Sequence, residues 1–185
     1  MKQSAYGLLL FVFLILPPVS HLLESIMIVH MHMQMPMLVI SGFLMARFFQ
    51  LQLPSFFDKW NPNGVPGLLL FIIIWSYWML PRAMDEAITL YGVEIFKFIS
   101  LPFLAGVALR DSWKKLHTFG KGVLYVFIML VFLIMAILYI GVDEQLCNNY
   151  LEVDQKTLGW GSAAMAACMI IYGIQLLFTD QSAYK

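Results

Sequence analysis

A chain of 185 residues that is 61% hydrophobic and only 12% charged, with a mean hydropathy of +0.81, is not a soluble domain. Its 11 basic and 11 acidic residues cancel, which says little about partners where two membrane faces differ, but no stretch outside the apolar runs is long enough to form a domain that binds nucleic acid. Several runs approach the ~20 apolar residues that cross a ~30 Å hydrocarbon core, and none shows the ~10-residue alternation of a transmembrane barrel.

These features predict an all-α, polytopic membrane helical bundle, a single integral membrane domain over residues 1–185 with the lipid bilayer as its first partner. About six spans are expected, roughly 6–18, 23–48, 67–84, 93–109, 123–142 and 158–178. The first is short and stops at Pro17-Pro18. Lys2, the apolar run after it and Ser20 also have the outline of a secretory leader whose removal would expose His21. Pro18, where a small residue is expected before the cut, argues for a retained helix.

The second span begins with the densest chemistry in the chain. Met27, His30, Met31, His32, Met33, Met35 and Met37 fall within eleven residues. Thioether and imidazole suit copper, Cu(I) above all, although methionine is also a flexible packing residue. At 100° per residue, His21, Glu24, Ser25, Ile28, His32 and Met35 share one face, and Met27, His30, Met33 and Met37 the opposite one. His30 and His32 are then about 160° apart, so a regular helix cannot offer both to one ion. Pro36 is expected to loosen the helix at His32, whose carbonyl its ring would meet. The candidate metal ligands are His21, Glu24, Met27, His30, Met31, His32, Met33 and Met35. Haem b is the other cofactor to consider, with His30 or His32 as an axial ligand. Its second histidine would have to be His117, which belongs to the inner side.

The third span closes with Trp75 and Trp78, which fit an interfacial aromatic belt, and ends at Pro81. Beyond it, Asp85 and Glu86 form an outer acidic cluster that could ligate or steer cations or be a solvated turn. In the fourth span Glu94 and Lys97 are i, i+3 neighbours and are expected to pair, and Pro102 is expected to kink the helix. Cys147 lies in an outer loop and Cys168 in the last span, so neither a disulfide nor a thiolate metal site is expected.

Charge sets the orientation. With the N-terminus inside, Lys2, Arg47, Lys59, Arg110, Lys114, Lys115, Lys121 and Lys185 are all inside, and only Arg82 and Lys156 outside. That bias predicts N-in and C-in. The outer side collects Glu24, Asp85, Glu86, Asp143, Glu144, Glu152 and Asp154. His21 then lies near the outer surface, with His30 and His32 ~14–17 Å deeper at 1.5 Å per residue.

Two stretches have a familiar pattern. Ser25-Ile-Met-Ile-Val-His30-Met-His32-Met-Gln-Met-Pro36, on to Gly42, resembles a segment of the CtaG-type cytochrome c oxidase assembly factors. Trp75 to Pro81, on through Asp85-Glu-Ala to Gly106 and Trp113, resembles that family's later tryptophan–proline segment. Related small archaeal membrane proteins share the pattern. The histidines here are two residues apart, which is not the family's spacing. The histidine expected after the tryptophan is absent, and Glu94, Lys97 and Phe98 stand where the next helix would carry more. The resemblance therefore implies a shared helical scaffold, with His30 and His32 alone carried over as ligands.

The expected function is an integral copper-handling or assembly protein for a copper-dependent membrane enzyme such as a respiratory oxidase. One alternative is a non-catalytic accessory subunit of a membrane oxidase or monooxygenase, with other membrane subunits as partners. A haem-b electron-transfer protein is the second alternative. The expected location is the cell's inner (cytoplasmic) membrane, multi-pass. No nucleophile, base and substrate pocket can be assembled, so the chain is not expected to be an enzyme itself.

Overall fold

A computed structural model describes residues 2–142 and 144–179, so Asp143 and Lys185 of the charge count lie outside the described residues. Every regular element among the described residues is a helix. In chain order they are α1 (Lys2–Ile15), α2 (Pro17–Glu24), α3 (Met27–Gln52), α4 (Pro54–Trp60), α5 (Val65–Trp78), α6 (Pro81–Thr89), α7 (Tyr91–Lys115), α8 (Thr118–Gly141) and α9 (Glu152–Phe178). Four of them, α3, α7, α8 and α9, are long and apolar enough to cross a membrane, and there are six spans if each bent pair counts as one. The chain fits a multi-pass membrane protein.

The bent pairs are α1–α2, at 71°, and α5–α6, at 73°. Both bends come from proline. Leu16 (ψ 126°) and Leu80 (ψ 131°) are extended because each precedes one. Pro17 and Pro81 then open the next helix, where a missing N–H leaves no helix bond unmade. Residues 6–18 are therefore not one straight span, and the span expected at 67–84 turns sharply after Trp78.

Two other prolines act differently. Pro36 cannot donate to the carbonyl of His32, nor Pro102 to that of Phe98. Around each, the helix widens into a π turn, His30–Gln34 in α3 and Ser100–Gly106 in α7. The Met35 N–H closes on His30 O and the Val107 N–H on Pro102 O, one residue further back than in an α-helix. The kink expected at Pro102 is absorbed in this turn, and Tyr91–Lys115 continues as one span.

α3 is the central helix, packed against α1 on one side and α7 on another, while α8 and α9 pair along their length. Its crossing with α7 is backbone on backbone. A Cβ on Gly42 would stand 1.8 Å from the Pro102 carbonyl oxygen, and one on Gly106 2.3 Å from that of Val39. Only glycine allows so close an approach, which is how membrane helices gain packing where no hydrophobic force drives them together.

The end of the bundle that the charge bias assigns to the inside is closed by a polar cluster. Asp111 accepts from Gln50 Nε2 (2.8 Å), Asn61 Nδ2 (2.7 Å) and Lys115 Nζ (3.0 Å). Asn61 Oδ1 in turn caps the Gly67 N–H, behind a turn at Gly64, whose φ of 79° favours glycine.

Two expected placements are corrected. Trp75 and Trp78 are buried in the bundle rather than spread along an interfacial belt, and Trp78 Nε1 donates to Ser100 Oγ at 2.8 Å. Lys97 pairs with Glu24 across the bundle (2.5 Å), not with its helix neighbour Glu94. Lys97 is fully buried, so it needs a carboxylate inside the bundle with it, and Glu24 is buried too.

Candidate functional site

Between α2 and α3 the chain is not helical. Ile26 is extended (φ −124°, ψ 118°), which frees the last carbonyls of α2. Irregular backbone among membrane helices must be satisfied from within the protein, and here Tyr150, from the loop before α9, donates its hydroxyl to Glu24 O at 2.7 Å. The same hydroxyl lies 3.1 Å from His30 Nδ1.

These two contacts fix a tautomer. A backbone carbonyl only accepts, so the single phenolic proton of Tyr150 is committed to Glu24 O. Burial, with the Glu24 carboxylate near by, raises the Tyr150 phenol above its ordinary value, so the proton stays on. His30 Nδ1 must therefore be the donor in the second bond, Nδ1–H to Tyr150 Oη. Its Nε2 is left as a bare lone pair, fully buried and without a hydrogen-bond partner.

A second orphan sits one turn on. Gln34 Nε2 donates to Glu24 Oε1 at 3.1 Å, leaving Gln34 Oε1 buried and unpartnered. Both orphaned atoms are acceptors, and both belong to the π turn. A buried acceptor with nothing to accept from costs roughly 1–3 kcal/mol, which marks this turn as the candidate site.

The surroundings are soft and apolar. Met27, Met31 and Met35 are buried on the same segment as His30, and Met84 of α6 and Met135 of α8 belong to the same core. Glu24, Gln34 and Lys97 form a charge-neutral network beside them. Glu24 Oε1 already takes two donors, so its part in the site is to hold the scaffold.

The burial departs from the expected two-face division, because the break at Ile26 puts His21 and Glu24 on a separate helix and the buried stripe of α3 is centred on Met27, Met31 and Gln34. His30, Met31, Gln34 and Met35 are all buried, whereas Met33 points outward, half exposed. His32 is turned to another neighbourhood, with Nε2 3.1 Å from Ser162 Oγ of α9 and its ring edge-on to Phe132. His21 is exposed on α2, and His117 is exposed at the inner end. His30 and His32 thus meet different partners. Among the described residues no three histidine, cysteine, aspartate or glutamate side chains gather as a metal-binding group. Any metal held here would rest on one imidazole and thioethers.

Of the two residues of the expected acidic cluster, Asp85 holds the loop that carries Tyr150. Asp85 accepts from the Asn149 N–H (3.0 Å), Asn149 Nδ2 (2.8 Å) and Asn148 Nδ2 (3.2 Å). Glu86 pairs with Arg82 on its own helix. Gln145 and Gln155 both donate to the Cys147 and Tyr150 carbonyls, stapling the loop from inside. Tyr150 carried no signal in the sequence, because His30 and Glu24 lie 120 and 126 residues away from it, and Gln34 and Gln155 carried none because their partners lie across a helix break or in an irregular loop.

Cys147, in the same loop, is fully buried, and burial pushes its thiol up to about 11 from 9.0. At pH 8 its thiolate fraction is then about 100-fold below that of an ordinary thiol. In detergent at pH 8, Cys147 is expected to resist maleimide until the protein is unfolded, read by mass spectrometry of a Cys168→Ala chain. Rapid native labelling would show that the loop does not stay docked.

Comparison of the chain with protein-family models, curated proteins and solved structures finds no match.

Proposed function

We propose that this protein handles Cu(I) inside the membrane, as cargo for a copper-dependent membrane enzyme such as a respiratory oxidase. The observation that carries the reading is the bare, buried Nε2 of His30 on a helix segment that also buries Met27, Met31 and Met35. A metal ligand must offer a lone pair rather than a proton, and His30 Nε2 does so. Cu(I) is the biological ion best matched to imidazole with thioethers. The neutral Glu24–Lys97 pair leaves no fixed negative charge to attract the hard divalent ions that prefer carboxylate. The separate partners of His30 and His32, and the exposed position of His117, favour this over haem held by two histidines.

Competition with a chromophoric Cu(I) chelator is the test, on the full chain in detergent. The expected stoichiometry is one Cu(I) per chain. His30→Leu is expected to weaken binding at least 100-fold, a Met31→Leu/Met35→Leu chain roughly tenfold, and Met33→Leu not at all. Failure of the wild-type chain to compete, or a His30→Leu chain that binds as well, overturns the reading.

A further inference from the structure

We propose that Tyr150 is the positioning residue that keeps His30 Nε2 open, so that the loop Leu146–Tyr150 is the release lever of the copper site. This rests on the copper reading above. The lever is visible as a chain of contacts from the outer surface to the buried imidazole.

Asp85 on α6 holds Asn148 and Asn149 through three donors. Asn149 adjoins Tyr150, whose carbonyl is gripped by Gln145 (2.8 Å) and Gln155 (3.3 Å). Tyr150 itself is buried, and its hydroxyl is both acceptor for His30 Nδ1–H and donor to Glu24 O. One hydroxyl thus ties the loop to the imidazole and to the break that admits α3.

The consequence is directional. With Tyr150 in place the proton sits on Nδ1, and Nε2 can bind a metal. If the loop lifts, the buried Nδ1–H has no acceptor, a loss worth roughly 1–3 kcal/mol. Without that acceptor Nδ1–H is no better placed than Nε2–H, so the tautomer is no longer held and the ring is free to turn, and either change takes the lone pair from its place. Groups that orient a metal-bound histidine through its other nitrogen typically change metal affinity 10–100-fold. The loop lies at the end that the basic residues assign to the outside. An ion would therefore be let go toward the outer face, where the docked loop is reachable by a receiving protein.

The test uses the full chain in detergent with ¹⁵N-labelled histidine. Long-range ¹⁵N–¹H spectra give the His30 tautomer without metal, and chelator competition gives the Cu(I) affinity. Two variants are compared with the wild type. Tyr150→Phe keeps the ring and drops the hydroxyl, and Asp85→Ala unpins the loop without touching His30. The wild type is expected to show the Nδ1–H form. Both variants are expected to lose that form, with Cu(I) affinity falling 10–100-fold in Tyr150→Phe and at least several-fold in Asp85→Ala. If Tyr150→Phe does not fold, Asp85→Ala decides alone. An unchanged tautomer, or a changed one with unchanged affinity, overturns the lever. A wild-type chain that shows the Nδ1–H form and binds no Cu(I) overturns the copper reading instead, and the two failures are told apart before any variant is made.

Discussion

Lys97→Met is expected to destabilise the folded protein by about 3–5 kcal/mol, the cost of leaving one buried charge without its partner. The Glu24 carboxylate would keep Gln34 Nε2 as a side-chain donor and lose its only cation. The double variant Glu24→Gln/Lys97→Met is expected to regain most of that loss, because two neutral groups need no desolvated charge pair. Reversible unfolding of the purified chain in mixed micelles measures both. A single variant within 1 kcal/mol of the wild type would show that water reaches the pair. The double variant has a second use. It retains Tyr150 and His30, so its Cu(I) affinity separates the part the ion pair plays in the fold from any part it plays in binding.

Gly42→Ala is expected to lose more than about 3 kcal/mol, at the upper end for overpacking. The added methyl would meet the Pro102 carbonyl, carbon and Cα, all within 2.6 Å, and this is backbone that no side-chain rotation can clear. α3 and α7 would have to separate, taking the π turns on both helices with them. Gly122→Ala is the control. It lies on α8 with nothing within 4 Å of the added carbon, and it is expected to gain up to about 1 kcal/mol in helix propensity. The yield of folded, monodisperse protein and the unfolding midpoint compare the two. Equal midpoints would show that the crossing is looser than its geometry implies.

Much of the architecture was legible before the structure. Hydropathy located the helices because each bilayer crossing needs an apolar run whatever its neighbours are. The prolines were read correctly as interruptions, but their outcomes differ for a reason the local sequence does not contain. Pro17 and Pro81 could start new helices with free ends. Pro36 and Pro102 lie on α3 and α7, helices packed along one another, and there the ladder widened instead of breaking. The pairing of Lys97 shows the same limit. Physics required an acid for it, and the nearest in sequence was Glu94. The one that serves is 73 residues away. Within the candidate site the methionines and His30 stood out by composition. Gln34 and Tyr150 did not, because what marks them is a partner supplied by the fold. Met33 faces outward because the buried stripe of α3 runs through Met27, Met31, Gln34 and Leu38, and the sequence did not say which face of the helix meets the bundle.

The π turn His30–Gln34 lies in α3 between two anchors. At one end Glu24 and Lys97 anchor the chain, and at the other Gly42 rests on Pro102. Between them Met33 is the one member of His30–Gln34 whose side chain points outward and is more than one-third exposed. The anchors of the helix thus lie on either side of the turn that carries His30, and Gln34 ties the turn directly to one of them, through Glu24. A change of side chain at Met33 is met by the surroundings of the bundle before its core, while a change at His30 or Gln34 acts on the core directly.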